Sequence, residues 1–119
     1  MSVALKRIYD KPGRDDGYRV LVDKLWPRGI AKRDARLDEW LKEIAPSDQL
    51  RRWFHDHPNR WGEFRRAYLR ELKPWRSALR PLARRARRET VTLLYASRDD
   101  RHNNAEVLRQ YLNMLGASR

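Results

Sequence analysis

The chain of 119 residues has no cysteine, which excludes disulfides, thiolate metal sites and cysteine nucleophiles and accords with a reducing compartment. It has no apolar run of bilayer-spanning length. Its start, Met1-Ser2-Val3-Ala4-Leu5-Lys6-Arg7, shows neither the apolar core nor the cleavage site of a signal peptide. A cytoplasmic protein without a membrane partner is the expectation. There is no internal repeat, and the length suits a single domain spanning residues 1–119 around one core. No glycine-rich loop follows the first predicted strand, so no nucleotide-type cofactor is indicated and the cofactor is left open.

Tryptophan and arginine are abundant. Trp26, Trp40, Trp53, Trp61 and Trp75 supply large apolar surfaces, which argues against disorder despite a mean hydropathy of -0.98. The formal net charge is +12, and it is unevenly spread. Basic residues outnumber acidic ones 13 to 3 over residues 51–88, against 11 to 9 before that segment and 4 to 4 after it. Such a stripe can bind nucleic acid by releasing counterions, or it can simply solvate helix faces. Arginine makes up 22 of the 28 basic residues, which favours the second account.

Residues 3–9 read as a first strand, 10–17 as an exposed turn-rich loop, and 18–25 as a β-branched strand stopped by Trp26-Pro27-Arg28-Gly29. The spacing of Leu37, Trp40, Leu41 and Ile44 predicts a helix over 31–45, with an extended piece before Pro46 as the alternative. Ser47 is a suitable N-cap for a helix to about His55, with Leu50, Trp53 and Phe54 inward. Pro58 suits the first turn of the next helix, whose inward face is Trp61, Phe64, Tyr68 and Leu72. Pro74 should end that helix, and Pro81 should kink or restart the one using Leu79, Leu82, Ala83 and Ala86. A central strand at 90–95 precedes a last helix with an Asn103/Glu106 capping pair, a stripe of Ala105, Leu108, Leu112 and Leu115, and Gly116 just past its end. Strands separated by helices indicate an α/β fold, a small mostly parallel sheet with helices packed on its faces.

If 18–25 and 90–95 are adjacent and parallel, the loops after them share one end of the sheet, where open α/β folds bind ligands. Residues Asp16-Gly17-Tyr18-Arg19-Val20-Leu21-Val22-Asp23-Lys24-Leu25-Trp26-Pro27-Arg28-Gly29, Ala45-Pro46-Ser47, Trp53-Phe54, Trp61, Phe64, Leu93-Leu94-Tyr95-Ala96-Ser97-Arg98-Asp99 and His102-Asn103 carry a resemblance. On these the chain resembles the YeaO-like family, small bacterial domains of unknown function. The resemblance covers nearly the whole chain and implies an α/β fold without an established activity. The basic segment is heavier than is usual in that family, and Pro74 and Pro81 are unusual there.

Side-chain chemistry at the two loops points to a small anionic, phosphate- or nucleotide-like ligand. Arg28 and Arg98 suit bidentate contact with phosphate or carboxylate, with Lys24, Ser97 and Asn103 beside them. Trp26 and Tyr95 are candidates for stacking on a planar group. His102 is the candidate general acid or base, oriented by Asp99 or Asp23. Ser97 becomes a nucleophile only if His102 reaches it. Each residue also has a structural account: Asn103 as a helix cap, Asp23 with Arg98 as an ion pair, and Trp26 as core. His55-Asp56-His57 has poor spacing for a metal, and no metal site is expected; capping near Pro58 explains it better. The competing reading is a nucleic-acid accessory protein that uses the basic helices of 51–88.

Overall fold

A computed structural model describes residues 2–117. Strands β1 (Ser2–Arg7), β2 (Tyr18–Leu21), β3 (Glu39–Trp40) and β4 (Thr90–Tyr95) form one sheet in the order β1-β4-β2-β3, and every neighbouring pair is parallel. The helices are α1 (Lys32–Ala35), α2 (Asp48–Asp56), α3 (Trp61–Leu72), α4 (Arg76–Arg85) and α5 (Asn104–Ala117). Among the described residues no helix is long and apolar enough to cross a membrane.

The two faces of the sheet are filled by alternate residues of the same strands, as period-two geometry requires. Val20, Val22, Val91, Leu93 and Tyr95 point into the larger core, which also takes Leu50 of α2, Phe64, Tyr68 and Leu72 of α3, Leu79, Leu82 and Ala83 of α4, and Leu108 and Leu112 of α5. Leu21, Leu94 and Ile8 point the other way. There Ala35 of α1 and the half-buried Trp26, Ile30, Leu37 and Trp40 cover them. Each leucine buried this fully stabilises the fold by roughly 1.5–3 kcal/mol relative to exposure. Strand β4 lies between β1 and β2 with Val91 to Tyr95 all buried, the central strand expected from its apolar run.

Several elements depart from the sequence reading. Residues 31–45 do not form one helix. Arg36 adopts a left-handed conformation (φ 48°) that stops α1 after one turn. The chain then extends so that Glu39 and Trp40 pair with β2, because burying Leu37 and Trp40 on the second face outweighs local helical spacing. Strand β2 ends at Leu21 rather than residue 25. Val22 still donates to the Leu94 carbonyl (3.1 Å), but the chain then turns away. Pro58 precedes α3 rather than opening it, and His57 is the C-cap of α2 rather than an N-cap, its Nδ1 bonded to the Trp53 carbonyl at 2.8 Å. Pro81 lies inside a continuous α4; the carbonyl it leaves without a donor belongs to Ser77, at an exposed position where water can reach it. Gly116 sits in the last turn of α5. The Ser47 cap forms as expected, with its hydroxyl accepting from the Leu50 amide at 3.2 Å.

On the second face a buried ionic group locks the start of β2. Asp16 accepts from Arg19 Nη1, from Lys6 Nζ at 3.1 Å and from the Gly13 amide at 2.9 Å. Arg19 also donates Nη2 to the Ala35 carbonyl at 2.8 Å. Gly17 (φ 63°) permits the close approach, since a Cβ there would meet the Thr90 carbonyl oxygen at 2.1 Å.

Candidate functional site

Strands β2 and β4 are adjacent and parallel, so the loops after them do meet at the carboxyl end of the sheet. Between them and the α2–α3 corner lies a cleft of about 680 Å³. Asp23, Lys24, Trp26, Arg28, Ser97, Arg98, Asp99, His102 and Asn103 all line it. Tyr95 does not: its side chain is buried in the larger core, and burial raises the phenol pKa.

The end of β1 braces both loops. Arg7 donates to the Ser97 and Ala96 carbonyls at 2.9 and 3.1 Å, while the Tyr9 hydroxyl donates to the Arg28 carbonyl at 3.1 Å. Trp26 donates its indole N–H to the Ile30 carbonyl at 2.7 Å and packs edge-on against Trp40 at 5.4 Å, which closes the first loop on itself.

Asp23 forms the floor. One carboxylate oxygen accepts from the Ala96 amide at 2.8 Å, and the other from Asn104 Nδ2 at 3.0 Å. Asn104 Nδ2 also donates to the Val22 carbonyl at 3.0 Å, so the first residue of α5 is fastened to the segment that follows β2, and Asp23 links that segment to Ala96 after β4. Burial raises the Asp23 pKa, and the two hydrogen bonds and the Arg51 charge only partly offset it. Among the described residues no ion pair joins Asp23 to Arg98, contrary to the structural account considered for that pair.

The second loop is organised by Asp99. Its carboxylate accepts the Arg101 and His102 amides, both at 2.9 Å, and these bonds hold its pKa below the ordinary carboxylate range. His102 Nδ1 stands 4.0 Å from Asp99 Oδ2, beyond hydrogen-bond reach, and the imidazole stacks on Trp61 at 4.8 Å. The Ser97 hydroxyl accepts the Asp99 amide at 3.2 Å; no hydrogen bond joins it to His102 among the described residues. Asn103 caps α5, accepting the Glu106 amide at 2.9 Å and donating to the Asp99 carbonyl at 2.9 Å. The Glu106 side chain turns to Arg109 and Gln110, so the reciprocal half of the capping box is absent.

The cations of the cleft differ in their engagement. Lys24 pairs with Asp48 at 3.0 Å. Arg28 and Arg98 are exposed, and among the described residues their guanidinium groups have no hydrogen-bond or ion-pair partner. Arg51 reaches Asp48 through Nη2 at 3.3 Å, yet its Nε is buried without a partner.

Arg51, Asn104, Phe54, Phe64 and Pro58 also line the cleft and had no place in the two-loop reading. Arg51 looks like one more member of the basic segment, and only the packing of α2 turns it toward the cleft. Asn104 had a faint signal, being the second of an Asn-Asn pair at a helix start. Among the described residues no group of three or more histidine, aspartate or glutamate side chains could hold a metal ion.

Residues 2–118 match the family model described as the inactive DUF488-N3 subclade (DUF488-N3i). The uncharacterized protein YeaO of Escherichia coli (strain K12) is 45% identical over 115 residues, covering 97% of this chain and 100% of that protein. The uncharacterized protein Rv3073c of Mycobacterium tuberculosis (strain ATCC 25618 / H37Rv) is 43% identical over 111 residues, 93% of each chain. No solved structure matches the chain. With the model spanning nearly every residue, the chain belongs to the DUF488-N3i family, and it is similar to YeaO along the whole length of that protein.

Proposed function

We propose that this protein binds a small anionic ligand in the cleft at the carboxyl end of its sheet. One observation carries the reading: Arg28 and Arg98 line the cleft, exposed, with no side-chain partner among the described residues. Guanidinium groups in such a setting match phosphate and carboxylate geometry, and the amino terminus of α5 adds positive potential. The volume falls within the range of small-molecule sites.

Binding without turnover has more support than acid–base chemistry at His102. The family is described as an inactive subclade, Asp99 stands outside hydrogen-bond reach of the imidazole, and Ser97 is engaged with Asp99. Thermal denaturation with and without inorganic phosphate tests the reading. Phosphate should raise the midpoint of the wild type, since a ligand selective for the folded state stabilises it by mass action. The Arg28→Ala/Arg98→Ala variant should keep its apo midpoint and lose the rise. An equal rise in the variant, or none in the wild type, refutes the proposal.

A different observation favours a second reading. Arg66, Arg70, Lys73, Arg76, Arg84, Arg87 and Arg88 are exposed, and no hydrogen bond or ion pair among the described residues engages their side chains. Arg66 with Arg70, and Arg76 with Arg84 and Arg88, recur at multiples of four residues and so form rows on α3 and along and just beyond α4. On this reading the rows bind nucleic acid, with an affinity that falls steeply as salt rises and is unchanged in Arg98→Ala. A salt-insensitive interaction, or one abolished by Arg98→Ala, counts against it.

A further inference from the structure

The cleft is larger and less polar than an inorganic anion requires. A bare phosphate fills only a small part of about 680 Å³, a volume in the range that holds small organic molecules. Four large apolar side chains are exposed among the described residues, and two of them, Leu25 (60%) and Tyr9 (44%), border this cleft. Scattered exposed leucines are ordinary, but two such side chains bordering one concavity offer an apolar surface that a ligand can cover. The exposed Pro58 at the α2–α3 corner and the half-buried Ala45 continue the apolar lining.

These side chains are held in place. Leu25 stands between two anchored residues: the Asp23 carbonyl accepts the Trp40 indole N–H at 2.7 Å, and Trp26 donates to the Ile30 carbonyl at 2.7 Å. The Tyr9 hydroxyl donates to the Arg28 carbonyl at 3.1 Å, which makes an apolar ring the neighbour of a cationic residue. The Asp23 carboxylate puts negative charge on the floor, and both its oxygens are already answered, by Ala96 and Asn104. An anionic head therefore belongs at the exposed guanidinium groups of Arg28 and Arg98 rather than on the floor, with the rest of the ligand along Leu25 and Tyr9. Two guanidinium groups suit a head that carries close to two charges, as a phosphate monoester does.

We propose that the ligand is a phosphate monoester with an apolar body: its head engages Arg28 and Arg98, and its hydrocarbon part covers Leu25 and Tyr9. A polar body, such as the glycerol of glycerol phosphate, covers those side chains little better than water does. The inference rests on the anion-binding reading and names the class of ligand for the same cleft.

Calorimetric titration of the full chain with inorganic phosphate, glycerol phosphate and hexyl phosphate tests it. Hexyl phosphate should bind about tenfold more tightly than either of the others, the gain that burying about two methylene groups supplies. Leu25→Ser, at a position too exposed to unsettle the core, should weaken hexyl phosphate about fivefold and so narrow its margin over inorganic phosphate. Arg98→Ala should weaken all three alike, since each presents a phosphate head. If hexyl phosphate binds no better than glycerol phosphate, the apolar-body inference fails and the anion site stands. If hexyl phosphate keeps its full margin in Leu25→Ser, the apolar wall assigned here is refuted. If none of the three binds, the anion-binding reading fails with it.

Discussion

Two clusters of charged side chains flank this sheet, and they are built on opposite terms. Around Asp16 every charge is answered: Arg19 bonds to the Asp16 carboxylate and to the Ala35 carbonyl, and Lys6 completes the group. Around the cleft several charges are left open: Lys24 pairs with Asp48, but among the described residues Arg28 and Arg98 have no side-chain partner and Arg51 is half-used. A saturated ionic cluster has no capacity left for a ligand and acts on the fold. An unsaturated one adds little to the fold and keeps its hydrogen-bonding capacity for something else.

Substitutions that separate stability from binding test this contrast. The largest effect is expected at Asp16. Asp16→Ala leaves the buried Arg19 guanidinium without its carboxylate and should lower unfolding free energy by about 3–5 kcal/mol in a urea titration. A loss below about 1 kcal/mol, the range of exposed pairs, would show that the cluster is solvent-screened and remove the contrast.

An intermediate effect is expected at Asp23, which belongs to the cleft but holds the Ala96 and Asn104 donors. Asp23→Ala should destabilise by about 1–3 kcal/mol, because two donors lose their acceptor. Carboxyl NMR titration should place Asp23 above, and Asp16 below, the ordinary aspartate value of about 3.9. Reversed positions would contradict the burial and bonding described for each.

The pH dependence of stability follows from the same shifts. Burial raises the Asp16 pKa, but its bonds to Gly13, Lys6 and Arg19 outweigh this, and the net shift is downward. A folded-state pKa below the unfolded value means that its stabilisation is present above the unfolded value and is lost as pH falls through the folded one. Acid unfolding of wild type and Asp16→Ala should therefore converge at low pH, and parallel curves would refute this assignment. The smallest effect is expected at Arg98: Arg98→Ala should alter stability by no more than about 0.5 kcal/mol, as exposed unpaired positions do.

Much of this was legible from local patterns. The 90–95 run reads as a central strand, and Ser47 and Asn103 read as caps, because caps and strands answer to residues a few positions away. The meeting of the two loops was also legible, given parallel neighbouring strands. Residues 31–45 misled because Leu37 and Trp40 fit helical spacing and yet serve a second apolar face that no local pattern reveals. The basic segment misled in another way. It reads as one stripe, but Arg51 enters the cleft, Arg65 bonds to Gln110, and Arg85 lies over Tyr18 at 4.0 Å and pairs with Glu89.

The sequence by itself determined the family, the α/β class and the end of the sheet where the polar loops gather, since motif, periodicity and strand–loop order are properties of the chain. Only the tertiary structure decided which charges are consumed. Whether Arg19 or Arg98 has a partner depends on carbonyls and carboxylates brought within about 3 Å by packing, a distance no spacing along the chain encodes.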